Sequence, residues 1–144
     1  MTHDRILIAT DDSEPARKAV SEAISQADAF DASLHAVSVI ETAEPQPAYN
    51  DPEIDPEGDE HAEQAVQRVV SEANSRALDQ EVVSSILRGQ PASAVLQYAN
   101  DHDIDLVVVG THARTGIDRL MVGSVAERIV RESPVPVVTI AVKE

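Results

Sequence analysis

The chain has 144 residues, 42% of them hydrophobic, with no cysteine and a formal net charge of −15 from 26 acids against 11 bases. That length suits one domain spanning residues 1–144, and without cysteine neither a disulfide framework nor a thiolate metal site can form. The acid excess argues against DNA or RNA as a partner, because duplex binding relies on clustered Lys and Arg to neutralise phosphates.

Ile6-Leu7-Ile8-Ala9 is a short continuous apolar run, the pattern of a strand buried on both faces. It gives way to Thr10-Asp11-Asp12-Ser13, which offers helix N-caps, and Pro15 fits only a first helical turn. Ala16, Ala19, Val20, Ala23, Ile24 and Ala27 then recur at helical spacing and predict an amphipathic helix. A second strand is expected from Leu34 to Ile40. Residues 41–60 break the pattern, with Pro45, Pro47, Pro52 and Pro56 among eight acids and Gly58 near the end, so a solvated connection is expected there.

Helical spacing resumes at Ala62, Ala65, Val66, Val69, Val70, Ala73 and Ala77. A strand follows over Val82 to Leu87, then a turn at Gly89 and a short helix opening at Pro91 with Val95, Leu96 and Ala99 on its apolar face. Leu106-Val107-Val108-Val109-Gly110 is the strongest buried-strand signal in the chain. Val125, Ala126, Ile129 and Val130 mark a last helix, stopped by Ser133-Pro134-Val135-Pro136, and Val137 to Val142 supplies a final strand. Alternating strands and helices imply an α/β fold: a five-stranded parallel sheet with helices on both faces. Such sheets bind ligands beyond the carboxyl ends of their strands, where strand order reverses. The turns after Ala9 and after Gly110 are therefore the places to look.

Gly110-Thr111-His112-Ala113-Arg114-Thr115-Gly116 leads from that buried strand toward Gly123-Ser124-Val125-Ala126-Glu127 and a helix. A helix N-terminus presents unpaired N–H groups and partial positive charge, which suit phosphate. Gly110 and Gly123 let backbone come close to a ligand, while Thr111, Thr115 and Ser124 offer hydroxyls and Arg114 and Arg119 offer charge. Neither GxxxxGK[ST] nor GxGxxG is present, so this is not a Walker loop or a dinucleotide fingerprint. Ser124 and Glu127 also have the spacing of a capping box.

The segment resembles the nucleotide loop of the universal stress protein family, in which ATP-binding members carry G-x-x-G, nine residues, then G-[ST]. The frame here is Gly110, two residues, Ala113, nine residues, Gly123-Ser124. Asp11 within Ile8-Ala9-Thr10-Asp11-Asp12-Ser13, the run Gly123 to Arg128, and Pro134-Val135-Pro136-Val137-Val138 extend the similarity along the chain. The resemblance implies a Rossmann-like sheet of order 3-2-1-4-5, of the adenine nucleotide alpha hydrolase-like type. It implies that Ala9, Thr10 and Asp11 meet adenosine and that the Val39 backbone meets the adenine edge. Gly110, Thr111, His112, Ala113, Arg114, Gly123, Ser124 and Val125 would meet ribose and phosphates. The implied ligand is ATP or AMP, with Mg2+ an optional companion of the triphosphate. A homodimer through the last strand and an unidentified protein partner are further implications.

The chain departs from the family pattern at Ala113, where the second glycine is replaced. If that position needs a positive φ, alanine costs about 1 kcal/mol. No metal-ligand spacing links the histidines, and no residue set supplies a general base, so the expected function is a nucleotide-binding stress-response regulator with at most slow ATP hydrolysis. A nucleotide-free homodimeric interaction module of the same family is the alternative. An enzyme transferring or hydrolysing phosphoryl groups lacks its expected lysine and HxGH-type signature.

The scattered acids and the scarcity of lysine, only Lys18 and Lys143, resemble the surface of halophilic proteins. No apolar run approaches the roughly 18 residues of a membrane span. Met1 to Arg5 shows no signal-type pattern, so a cytoplasmic chain with no membrane partner is expected.

Overall fold

The computed structural model describes residues 3–42, 56–111 and 124–141. Nine elements alternate along them: β1 (Arg5–Ala9), α1 (Glu14–Phe30), β2 (Ser33–Glu41), α2 (Pro56–Ser75), β3 (Val82–Gly89), α3 (Pro91–Asp101), β4 (Leu106–Thr111), α4 (Ser124–Glu132) and β5 (Val137–Ala141). The strands form one parallel sheet in the order β3-β2-β1-β4-β5. This is the expected α/β architecture and strand order. Val142, expected to end the last strand, lies outside the described residues.

Side-chain alternation in the central strands divides the core. Ile6, Ile8, Leu106 and Val108 point to one face, where Ala19, Ala23 and Ile24 of α1 and Val69 and Ala73 of α2 cover them. Leu7, Val37, Val107 and Val109 point to the other face, against Val95, Tyr98 and Ala99 of α3 and Ala126 and Ile129 of α4. The strands are apolar throughout because both faces must be buried, and each fully buried Ile, Leu or Val contributes about 1.5–3 kcal/mol over an exposed one. The α1 stripe is mostly alanine, and all six of its expected core positions are buried. Ser13 caps this helix through Oγ, which accepts from the Ala16 N–H at 3.4 Å.

Two sequence expectations are corrected. Residues 56–60 belong to α2 rather than to a connection, and Glu41 belongs to β2. Proline is favoured at a first helical position and acids favour a helix N-terminus, so the composition that reads as a breaker also starts a helix. The rest of that segment, 43–55, lies outside the described residues. Gly89 is the last residue of β3, paired with Glu41, rather than a turn. Its φ of 134° and the open space around it give a conformational reason for glycine, not a packing one.

Opposite the carboxyl end of the sheet, a ring cluster lies between β2 and α3, with His35 and Tyr98 buried and His102 exposed. His35 Nδ1 lies 2.7 Å from the Tyr98 hydroxyl, and Tyr98 stacks on His102 with centroids 3.8 Å apart. Burial pushes the His35 pKa below its usual range, and the nearby His102 and Arg5 push the same way, with Glu81 opposing. Among the described residues no helix is long and apolar enough to cross a membrane.

Candidate functional site

In a sheet of this order the chain runs outward from β1 to one edge and then returns to β4 on its other side. The crossovers leave β1 in opposite directions, so a crevice opens between the carboxyl ends of β1 and β4. A cavity of about 550 Å³ lies there. The ends of β1, β2 and β4 supply its floor, and the first turns of α1, α3 and α4 supply its walls.

Ala9, Thr10, Asp11, Val39, Gly110, Thr111, Ser124 and Val125 all line this cavity. They come from four separate parts of the chain, and the sheet register brings them together. His112, Ala113, Arg114 and Gly123 lie outside the described residues. Glu41, Pro91, Val95 and Val109 also line the cavity although sequence reasoning did not single them out for a site. Glu41 could have been found by alternation from Val37 and Val39, which lie on the same face of β2.

The turn after β1 is held by local hydrogen bonds. The Thr10 N–H donates to the Val37 carbonyl at 2.9 Å. The Asp12 N–H donates to Thr10 Oγ1 at 3.1 Å, and the Ser13 N–H donates to Asp11 Oδ1 at 2.9 Å. Asp12 takes a left-handed conformation with φ 63°, which disfavours any residue with a Cβ but Asp less than most. Asp11 is thereby set at the cavity wall with its carboxylate oriented by the backbone of the following helix.

Gly110 has a structural reason that the sequence did not disclose. A Cβ there would sit 2.5 Å from the backbone C and O of Pro15 and 2.8 Å from the Ala16 nitrogen. The close approach is therefore to the first turn of α1, and it closes the floor of the crevice between β1 and β4. Next to it, Thr111 is 2% exposed, and its Oγ1 has no hydrogen-bond partner among the described residues. A buried hydroxyl left unpaired costs about 1–3 kcal/mol. Natural folds carry few such groups, and each asks for an explanation.

At the same end α4 begins at Ser124, so its first amide groups and positive dipole end face the cavity. Glu127 does not act as a capping-box partner here. It pairs with Arg131 at 3.3 Å, one turn further on. No Lys or Arg lines the cavity among the described residues. The site is thus polarised: carboxylates of Asp11 and Glu41 on one side, helix amides and an unpaired hydroxyl on the other, with apolar Val39, Val95 and Pro91 between β2 and α3. Such a cavity suits a ligand with hydroxyl donors, a flat apolar body and an anionic end. Among the described residues no group of three or more His, Cys, Asp or Glu is arranged to hold a metal ion.

Residues 2–141 match the model of the universal stress protein family. The chain is 30% identical over 141 residues to a universal stress protein of Methanocaldococcus jannaschii, covering 96% of this chain and 82% of that one. Its structure resembles universal stress protein UspA from Lactobacillus plantarum with a TM-score of 0.70 and 26% identity, over 97% of this chain and 99% of the other. It also resembles a universal stress protein solved in complex with cAMP, with a TM-score of 0.74 and 25% identity, over 97% of this chain and 98% of that chain.

Proposed function

The chain belongs to the universal stress protein family, and from that premise we propose that it binds an adenine nucleotide, ATP or AMP, and acts as a stress-response regulator. The observation that carries this reading is the buried Thr111 hydroxyl, which has no partner among the described residues and lines the same cavity as the start of α4. It is a donor waiting at the place where helix amides favour an anion. The cAMP complex of a similar protein supports adenine and phosphate as the chemistry.

In this reading the purine lies against Val39, Val95 and Pro91, with its polar edge toward the backbone at Val39. The Asp11 carboxylate accepts from ribose hydroxyls. Thr111 and the first amides of α4, at Ser124 and Val125, meet phosphate oxygens, and His112, Ala113, Arg114 and Gly123 complete that end. Mg2+, when present, comes with the triphosphate. In this reading the cavity supplies groups for binding and orientation, and any hydrolysis is at most slow. Binding then acts by changing the dimer surface or the choice of partner, since β4, which lines the cavity, pairs with the edge strand β5. β5 is the strand for a homodimer in the cytoplasm, since pairing covers an edge that carries Val137, Val138 and Ile140.

Titration calorimetry with ATP, ADP and AMP tests the reading, together with mass spectrometry of what co-purifies. Micromolar binding is expected. No heat and no thermal shift at millimolar nucleotide would refute it and favour the nucleotide-free homodimeric module.

A further inference from the structure

Helix α2 does not line the cavity, yet two of its side chains grip the turn that does. His61 Nε2 lies 2.9 Å from the Asp11 carbonyl oxygen, a distance at which the ring N–H donates to it. Arg68 Nε lies 2.7 Å from Asp12 Oδ1, and Arg17 Nε of α1 approaches the same oxygen at 3.4 Å. His61 and Arg68 are seven residues apart, almost two helical turns, so they share one side of α2. The buried Ala62, Ala65, Val66 and Val69 fix that side against the rest of the fold.

The turn needs such a grip. Asp12 is in the left-handed region at φ 63°, where glycine would sit without strain. An aspartate here gives up that ease and gains a carboxylate, only 13% exposed, that ties α1 and α2 to the turn. The peptide between Asp11 and Asp12 is then held from both ends: its carbonyl by His61, its N–H by Thr10 Oγ1 at 3.1 Å. Loss of either bond would free that peptide and loosen the turn that carries the Asp11 side chain.

We infer that His61 and Arg68 are positioning residues for the ligand site, acting through Asp11 and Asp12, and that nucleotide binding is coupled to the docking of α2. The inference rests on the nucleotide-binding reading above. By linkage, whatever frees the β1–α1 turn from His61 and Arg68 weakens the ligand, and the ligand in turn tightens that contact. A second seam lies farther along, where Arg76, just past the end of α2, donates to the Ser21 carbonyl of α1 at 3.1 Å and to Ser25 Oγ at 2.8 Å. That second seam does not touch the turn, which makes it the control.

The test is calorimetry with AMP and ATP on the full chain at fixed ionic strength. Arg68→Met should raise Kd about threefold to fivefold, the range of a partly exposed ion pair, and Arg68→Lys should recover most of that loss. Arg76→Met should lower Tm and leave Kd unchanged. In an Asp12→Gly background, Arg68→Met should have no further effect on Kd. An Arg68→Met protein with wild-type Kd overturns the inference, and so does an equal rise in Kd from Arg76→Met. Wild-type protein that gives no heat with either nucleotide overturns the binding reading and this inference with it. Binding that is indifferent to Arg68 overturns this inference alone. Hydrogen exchange on the wild-type chain supplies a measurement free of variants: saturating AMP should slow exchange over residues 61–68, and unchanged exchange there counts against the coupling.

Discussion

Replacing Thr111 with valine separates binding from folding, because the two should move in opposite directions. The side chains have nearly the same shape, and both favour a strand, so the exchange removes a hydroxyl and little else. That hydroxyl is buried and has no partner among the described residues. Removing it from the empty protein should therefore stabilise the fold by about 1 kcal/mol or more, the cost of an unpaired buried polar group. For a chain of this length 1 kcal/mol corresponds to a Tm increase of about 3 °C. With ligand the sign reverses. A hydrogen bond to a charged phosphate oxygen contributes about 1.5–3 kcal/mol, so its loss should weaken nucleotide binding between about tenfold and about a hundredfold.

Thermal denaturation without nucleotide and calorimetry with ATP and AMP give the two readouts. Thr111→Ser, which keeps the hydroxyl, should retain affinity while losing a methyl group's packing. A Thr111→Val protein that melts lower and binds as tightly as wild type would refute the reasoning. It would mean that the hydroxyl is satisfied inside the protein and has no part in the ligand site.

Gly110→Ala places a Cβ 2.5 Å from the Pro15 backbone, so either β4 or the first turn of α1 must shift; overpacking of about 1–3 kcal/mol should lower Tm by about 3–10 °C, and an unchanged Tm would show that the contact relaxes freely. His35 is held neutral by burial, with its folded pKa below the ordinary 6.5, so between those values the unfolded chain binds more protons. The stability it lends is complete above about pH 6.5 and is lost as pH falls through the folded value; His35→Phe should flatten the fall of Tm between pH 7 and pH 5, and parallel wild-type and variant curves would count against it. In the proposed binding mode helix amides meet the anion, and no Lys or Arg lines the cavity among the described residues, so ATP affinity should hold or rise from about 0.1 M to about 1 M KCl as repulsion from the net charge of −15 is screened. A tenfold fall over that range would instead put a cation such as Arg114 on the phosphates.

The fold was legible because its signals are local and repeated. Leu106 to Val109 is apolar at every position because both faces of β4 are covered, and Ala16 to Ala27 keeps its stripe because one side of α1 lies on the sheet. The start of α2 was misread for the same local reason. Pro56, the acids after it and Gly58 fit a loop and a first helical turn equally well, and only the sheet's need for a covered face decides between them. Gly110 shows the limit more sharply. Its conformational freedom suggested a ligand, yet the backbone it admits belongs to Pro15, 95 positions earlier in the sequence. No window of sequence contains that contact. The grip of His61 and Arg68 on the turn is hidden likewise, since nothing in α2 says which loop its polar side will meet.

The charge pattern follows from these placements. A chain with this acid excess has few cations to give to a ligand, and among the described residues six arginines are paired with acids: Arg17 and Arg68 with Asp12, Arg76 with Glu72, Arg88 with Asp59, Arg128 with Glu132 and Arg131 with Glu127. Each fastens one element to another or to itself, and none reaches the cavity. In the described part of the cavity an anion would therefore be met by main-chain dipoles, which carry no side-chain entropy cost and lose little to screening at short range. In that part of the site the geometry of the β1–α1 turn and of the start of α4 would count for more than any one of the described charged residues. A site built from amides works only while the backbone around it is held, and Asp12, Thr10 and the helix beside them do that holding.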